Sequence, residues 1–208
     1  MSATAYALGT IGDCPGGLRS DGGTARFEVL DAAARCFAER GFAATSIDDV
    51  ARRLGSTKGR VYHHFASKMD LFLAVYRRGM ELNFAAIEGC GTLREMALAH
   101  ARAMMREQPY ERVLSEGVLM HQHGDPASPE AAALRDLMRL RDAYEARFRD
   151  AIGDVFGDRH IATRSFLAVL NSSVLWYQPR AMDTQAEQDA IANQLVETAL
   201  AGLRGRTT

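Results

Sequence analysis

Apolar side chains recur every three or four positions along most of this chain, and no stretch alternates in the period-two manner of a strand. That spacing marks amphipathic helices, and it divides into nine segments. The first runs from Thr24 to Arg40, with Phe27, Leu30, Ala34 and Phe37 on its inner stripe, and Gly41 stops it. The second is Ile47–Leu54, where Ile47, Val50, Ala51 and Leu54 share one face, and the third is Lys58–His64. A long fourth helix begins at Lys68 and carries Leu71, Phe72, Val75 and Leu82 toward about Glu88. Gly89-Cys90-Gly91 breaks the pattern before a fifth segment, about Leu93–Glu107, and Pro109 opens a sixth, Tyr110 to about Gln122. His121 to Pro129 reads as a loop by composition. Glu130–Ile152 follows, with Leu134, Leu137, Tyr144 and Phe148 inward and Arg135, Asp136, Arg139 and Asp142 outward. Asp158–Tyr177 is strongly apolar and is stopped by Pro179; Asp183 to about Arg204 is the last helix. The expected fold class is therefore all-α. A glycine-rich tail over 1–23 precedes a three-helix domain over 24–70 and a larger helical domain over 71–208.

The second and third segments carry the most specific local chemistry. Ser46 is a good N-cap, and Asp49 three residues on completes a capping-box pattern. Gly55 ends the second helix because it accepts left-handed dihedrals without a Cβ penalty. Thr57 is placed to cap the third helix, whose first residues are Lys58, Gly59 and Arg60. Two short helices joined by such a turn form a helix-turn-helix, whose second helix enters the major groove of DNA. The exposed N–H groups at its start favour anions. Arg60 is the candidate base reader, since a guanidinium pairs bidentately with guanine O6 and N7. Thr57, Gly59 and His63 are placed to approach bases or sugar-phosphate. Val61 and Phe65 face the first helix.

The run from Arg26 to about Met80 resembles the TetR family of bacterial transcriptional regulators. The resemblance is carried by Ala34-x-x-x-Phe37-Ala38-Glu39-Arg40-Gly41-Phe42-x-x-Thr45-Ser46-Ile47, by Val50-Ala51-x-x-Leu54-Gly55, and by Lys58-Gly59-x-Val61-Tyr62-His63-His64-Phe65-x-Ser67-Lys68-x-x-Leu71. Ser56 departs from the small apolar residue more usual there. The resemblance implies a homodimeric regulator that binds a double-stranded DNA operator and is released by a small effector. It implies phosphate contacts from Thr45, Lys58, Tyr62 and Lys68, a reading that their donor chemistry supports, with Ser46 beside them at the start of the second helix. It also implies an effector pocket among the C-terminal helices. Candidate lining residues are Met96, His100, Met104, Val113, Gly117, Met120, His121, Phe148, Phe166, Leu170, Ser173 and Trp176. Apolar, Met-rich walls suit a hydrophobic, flexible ligand. Trp176-Tyr177-Gln178-Pro179 resembles the end of the penultimate helix in family members that respond to acyl-CoA thioesters, so an acyl-CoA or a fatty acid is the first effector class to test. His100, His121 or Ser173 is expected to meet its polar end. The surplus apolar residues of the last two helices, Leu195, Val196 and Leu200 among them, are expected to pair two copies.

Charge sharpens this picture. Residues 1–80 hold 11 Lys and Arg against 8 Asp and Glu, while residues 81–208 hold 14 against 18. The basic half is the half with the helix-turn-helix, and cations there can neutralise phosphates and release counterions. The only two lysines, Lys58 and Lys68, both lie in it. No run of 18 apolar residues is present, so no membrane span is expected. The start of the chain lacks the basic and apolar blocks of a signal peptide. Three cysteines without metal-like spacing, Cys14, Cys36 and Cys90, point to a reduced, cytoplasmic protein. His100, His121, His123 and His160 have no ligand partner at helical spacing, and neither a nucleophile elbow nor a phosphate loop occurs. No metal, cofactor or enzymatic activity is expected. Two other readings stay open on sequence alone: a helical small-molecule-binding or protein-interaction regulator that no longer reads DNA, and a helical-bundle enzyme.

Overall fold

A computed structural model describes residues 21–153, 157–178 and 184–203. The expected tail lies mostly outside these residues, as do Pro179, Asp183 and Arg204. Among the described residues all regular structure is helical: α1 (Asp21–Ala44), α2 (Ile47–Arg53), α3 (Lys58–His64), α4 (Lys68–Ile87), α5 (Leu93–Arg106), α6 (Gln108–His123), α7 (Ala131–Ile152), α8 (Arg159–Asn171), α9 (Ser173–Trp176) and α10 (Gln185–Leu203). The first helix starts three residues earlier than its apolar stripe suggests, at Asp21. It is broken at Gly41, whose φ of 76° and ψ of 166° are not helical. The eighth expected helix is interrupted at Ser172. Its N–H reaches both Ala168 O (3.0 Å) and Val169 O (3.4 Å), and its hydroxyl donates to Val169 O at 2.7 Å, so one tightened turn separates α8 from α9.

Two apolar cores meet along α4 and α6. The N-terminal core gathers Val29, Leu30, Ala33 and Phe37 of α1 with Val50 of α2 and Val61 and Phe65 of α3. Leu71, Phe72 and Val75 of α4 belong to it, as do Tyr110 and Val113 of α6. The C-terminal core takes over one residue later on α4, at Tyr76, and continues through Met80 and Ile87 to Met96, Leu137, Phe148, Phe166 and Val196. The expected border after residue 70 therefore falls inside a helix whose two ends are buried in different cores.

Glycines let α4 and α6 cross closely. A Cβ at Gly117 would stand 2.6 Å from Cε2 of Tyr76, a fully buried ring. A Cβ at Gly79 would stand 2.3 Å from a terminal methyl of Leu114, which can swing aside. Overpacking a dense core costs roughly 1–3 kcal/mol, while Gly→Ala inside a helix returns about 1 kcal/mol. Gly117→Ala should therefore lower the urea midpoint, and Gly79→Ala should lower it less. An unchanged midpoint for Gly117→Ala would contradict this packing.

Candidate nucleic-acid interface and ligand cavity

α2 is held by a complete capping box. Ser46 Oγ accepts from Asp49 N at 3.2 Å, and the Asp49 carboxylate accepts from Ser46 N at 2.9 Å and Ser46 Oγ at 2.6 Å. Those Ser46 bonds, with Arg40 at 2.8 Å and Arg52 at 3.1 Å, hold the carboxyl far below its usual range. Gly55 (φ 61°) makes the turn. Val61 and Phe65 are buried beneath α3, leaving Thr57, Lys58, Gly59, Tyr62 and His63 exposed along one side. Thr57 makes no side-chain cap bond. Lys58 pairs with Asp48 at 2.6 Å, and the Arg60 guanidinium lies against Glu28 of α1.

Two residues expected at phosphates have other partners. Thr45 is buried, with its hydroxyl 2.7 Å from Gly41 O and 3.1 Å from Cys36 O. Lys68 Nζ donates to Phe42 O (2.8 Å), Thr45 O (3.0 Å) and Ala43 O (3.4 Å), and sits 4.4 Å from the centre of the Phe42 ring. An ammonium has three donors, and all three go to backbone carbonyls. This corrects the expectation for both: they fasten the loop from which α2 departs. Ser46 likewise spends its hydroxyl on the cap.

In the C-terminal half a cavity of about 310 Å³ lies among α4 to α9. Met80, Met104, Leu114, Val118, Leu167 and Val174 form its apolar wall. Polar residues stand among them on α4 and α6. Tyr76 Oη, Asn83 Oδ1 and Glu111 Oε1 are buried there without a hydrogen-bond partner. Burial pushes the Glu111 carboxyl up to about 8, against a hydrogen bond from Asn83 that lowers it. His100 is pushed down to about 4 by burial. Its Nδ1 lies 2.9 Å from Tyr144 Oη and its Nε2 lies 2.8 Å from Asn171 Oδ1. An amide oxygen only accepts, so Nε2 carries the hydrogen and Nδ1 accepts the phenolic proton. Arg141 and Glu145 line the same space and pair at 2.9 Å.

The helix that lines this cavity is also bonded to α1. Tyr110 Oη donates to Asp31, which raises the phenol further above its usual value than burial alone, and Phe42 N donates to Glu116 at 2.6 Å.

Comparison with known proteins bears on both regions. Residues 29–75 match the model for bacterial regulatory proteins of the tetR family. The repressor AcnR of Corynebacterium diphtheriae is 40% identical over 52 residues, 25% of this chain and 27% of that protein. The repressor KstR2 of Mycobacterium tuberculosis is 43% identical over 60 residues, 29% of this chain and 30% of that protein. The matched stretch thus spans less than a third of these curated relatives. A solved TetR-family regulator, PfmR of Thermus thermophilus, is 27% identical with a TM-score of 0.67, covering 85% of this chain and 98% of that one. Residues 29–75 are thus similar to the tetR-family DNA-binding region, and the chain as a whole is similar in fold to a solved TetR-family regulator. The matched proteins are named as regulators, and the all-helical fold with an N-terminal helix-turn-helix is that of the TetR family.

The twelve residues expected around an effector are scattered. His100 and Met104 line the cavity. Met96, Phe148, Phe166 and Leu170 point into the C-terminal core, where no free surface remains. Val113 belongs to the N-terminal core, Gly117 lies under the Tyr76 ring, and Met120 is wedged between the two cores. Ser173 is buried and donates to Leu170 O at 3.1 Å. His121 is exposed at the end of α6, and Trp176 is exposed outside the cavity. His100 has both nitrogens engaged, so neither it nor Ser173 offers a free hydrogen-bonding group.

Sequence reasoning passed over Tyr76, Asn83 and Glu111. A signal was present: Tyr76, Met80, Asn83 and Ile87 follow helical spacing, as do Glu111, Leu114 and Val118. A polar residue on an apolar stripe is buried by its register. Two further placements differ from expectation. Val196 is fully buried in the C-terminal core, with Leu195 and Leu200 partly buried against it, so none of the three is a free apolar face. The exposed large apolar side chains of this region are instead Ile161 (67%), Leu175 (85%) and Trp176 (51%), on α8 and α9. Among the described residues no group of three or more His, Cys, Asp or Glu is placed to hold a metal ion, and no helix is long and apolar enough to cross a membrane.

Proposed function

We propose that this protein is a ligand-responsive DNA-binding transcriptional regulator. It acts as a repressor that binds a near-palindromic operator as a homodimer and is released when a small, largely apolar effector fills the cavity. The observation that carries the reading is α3, whose exposed side gathers Thr57, Lys58, Gly59, Tyr62 and His63 beside the capped helix α2. The exposed row fits a helix lying in the major groove. Tyr62 is exposed to a phosphate, and Lys58 reaches one by leaving Asp48. Arg60 reads a base by exchanging Glu28 for guanine, a change of partner at the edge of α1.

The connection between sites runs through α6, which lines the cavity and is bonded to α1 at Asp31 and Phe42. A ligand shifts the two reading heads only if it binds the DNA-incompetent arrangement better. The apolar wall accommodates an alkyl or acyl chain. An acyl-CoA or fatty acid remains a test set for that wall, but its acidic or phosphorylated head has no free cation among the lining residues, since Arg141 is paired with Glu145.

The DNA reading is tested by anisotropy titration of a selected operator over a range of salt. Lys58→Ala should weaken binding to all sequences and reduce the salt slope by about one phosphate contact. Arg60→Ala should cost roughly 1–3 kcal/mol and relax preference at one base pair per half-site. Lys68→Met should act differently, loosening the 41–45 loop and lowering stability as well as affinity. Wild-type affinity in both Lys58→Ala and Arg60→Ala would refute the placement of α3 in the groove.

A further inference from the structure

We infer that the effector cavity recognises an organic ammonium cation, an amine with an apolar body, through Glu111, Asn83 and Tyr76. The inference rests on the reading of this cavity as an effector site and adds the chemistry of the head group.

Three buried polar atoms without partners belong to residues that line this cavity, Asn83 Oδ1 and Tyr76 Oη from α4 and Glu111 Oε1 from α6. Their residues are 4%, 3% and 0% exposed. A buried polar atom left unmade is costly, and such atoms are few in folded proteins. Three of them sharing one cavity is the pattern of a site waiting for a complementary group. All three can accept a hydrogen bond, and a primary ammonium carries three N–H donors. The same group would bring the positive charge that an ionised Glu111 lacks. The other lining charges, Arg141 and Glu145, already pair with each other at 2.9 Å, so no unpaired cation repels the ligand. His100, the remaining ionisable lining group besides the phenols, is neutral and spent on Tyr144 and Asn171. A carboxylate head could accept from the Tyr76 phenol, but it would leave Asn83 Oδ1 without a donor and set a second carboxylate beside Glu111. The apolar body has its own place against Met80, Met104 and Leu167, unbranched or soft side chains that adapt to a flexible chain.

Proton balance gives a second, independent signature. In the empty site burial keeps Glu111 largely protonated near neutral pH, and Glu107, between α5 and α6, acts in the same direction. Tyr76 on α4 is itself pushed up to about 12 and stays neutral. Tyr144 of α7 is likewise raised, and Arg141 and Glu145 compensate each other. An arriving ammonium keeps its own proton and stabilises the Glu111 carboxylate, so the carboxyl proton leaves to solvent. Binding at pH 7 should therefore release close to one proton per ligand, and apparent affinity should rise with pH toward 8.

The test uses the full chain and three probes sharing one alkyl chain: octylammonium, 1-octanol and octanoate. Calorimetric titration at pH 7 in two buffers of different ionisation enthalpy yields affinity and proton release together. Octylammonium should bind at least about tenfold more tightly than octanoate, the worth of a charge-assisted bond in a dry site. It should release a proton and should free operator DNA. Glu111→Gln should lose about tenfold toward octylammonium and abolish proton release. Tyr76→Phe should lose less and keep the proton signal. Octanoate or octanol binding as well as octylammonium, with Glu111→Gln unaffected, would overturn the ammonium assignment and leave the effector cavity standing. No binding by any of the three, in a protein that still captures operator, would overturn the assignment together with the cavity reading, and would leave the DNA reading intact.

Discussion

Glutamate at both Ile161 and Leu175 yields a folded monomer that loses at least about 100-fold in operator affinity, because each copy then holds only one half-site. The two side chains are 67% and 85% exposed, and Trp176 beside them is 51% exposed. Ile161, Arg164, Ser165, Ala168 and Leu175 are exposed along the same outer side of α8 and α9, with Ser172 half-buried among them. Between the large apolar groups at the two ends lie the small residues Ser165, Ala168 and Ser172, which let two helices approach, while Arg164 leans toward Glu145 of α7. Surface changes that touch no buried group shift stability by about 0.5 kcal/mol or less, so the thermal midpoint of an isolated subunit should not explain the loss. Sedimentation velocity reads the oligomeric state, and the indole of Trp176 reports the same event by its emission. The contrasting variant is Val196→Ala. Val196 is fully buried within its own subunit, so that change should weaken the fold and leave the subunit contact in place. A dimer that survives both glutamates, still tight on operator, would move the two-fold axis to another face.

The reading head was legible in the sequence because its signals are local. The Ser46–Asp49 box, Gly55 and the stripe Ile47, Val50, Ala51, Leu54 each act within one or two turns, and α2 and α3 begin at Ile47 and Lys58 as the spacing predicts. Partner choice was not legible. Lys68 looks like a phosphate contact by its chemistry, yet the carbonyls left open where Gly41 breaks α1 are 23 to 26 residues away in sequence and claim all three of its donors. Arg60 and Glu28 meet only because α3 packs on α1. The cavity was hidden for a related reason. An apolar stripe says that a face is buried, but not whether a neighbouring helix or a void covers it. Phe148, Phe166 and Leu170 turned out to be covered by helices. Glu111 and Asn83 are polar members of such stripes, and they mark the void better than the methionines did. Exposure on the last helices followed the same logic: Val196 and Leu175 look alike in sequence, and the packing of α10 on α5 and α8 decides which one is exposed.

Stability should be nearly level between about pH 4.5 and 6.5 and then fall by roughly 2 kcal/mol toward pH 8, and Glu111→Gln should remove the fall. Two buried groups set this shape. His100 goes from 6.5 in the unfolded chain to about 4 when folded. Between those values the unfolded chain holds a proton that the folded one lacks, so stability climbs with pH by about 1.4 kcal/mol per unit. Glu111 goes the other way, from 4.5 to about 8. The folded chain holds the extra proton there, and stability falls by about 1.4 kcal/mol per unit as pH rises. The slopes oppose each other where the windows overlap and leave only the Glu111 decline above pH 6.5. Glutamine cannot ionise, so the variant should gain stability from pH 4 to 6.5 and stay level beyond. The exposed carboxylates of Asp49, Glu95 and Asp158, held low by their own helix caps, act equally in both proteins and cancel in the comparison. Urea midpoints from pH 4.5 to 9 make the measurement, with ligand absent. Parallel curves for the parent and Glu111→Gln would mean that the carboxyl is not desolvated in the empty protein, and the charge argument for an ammonium ligand would lose its footing.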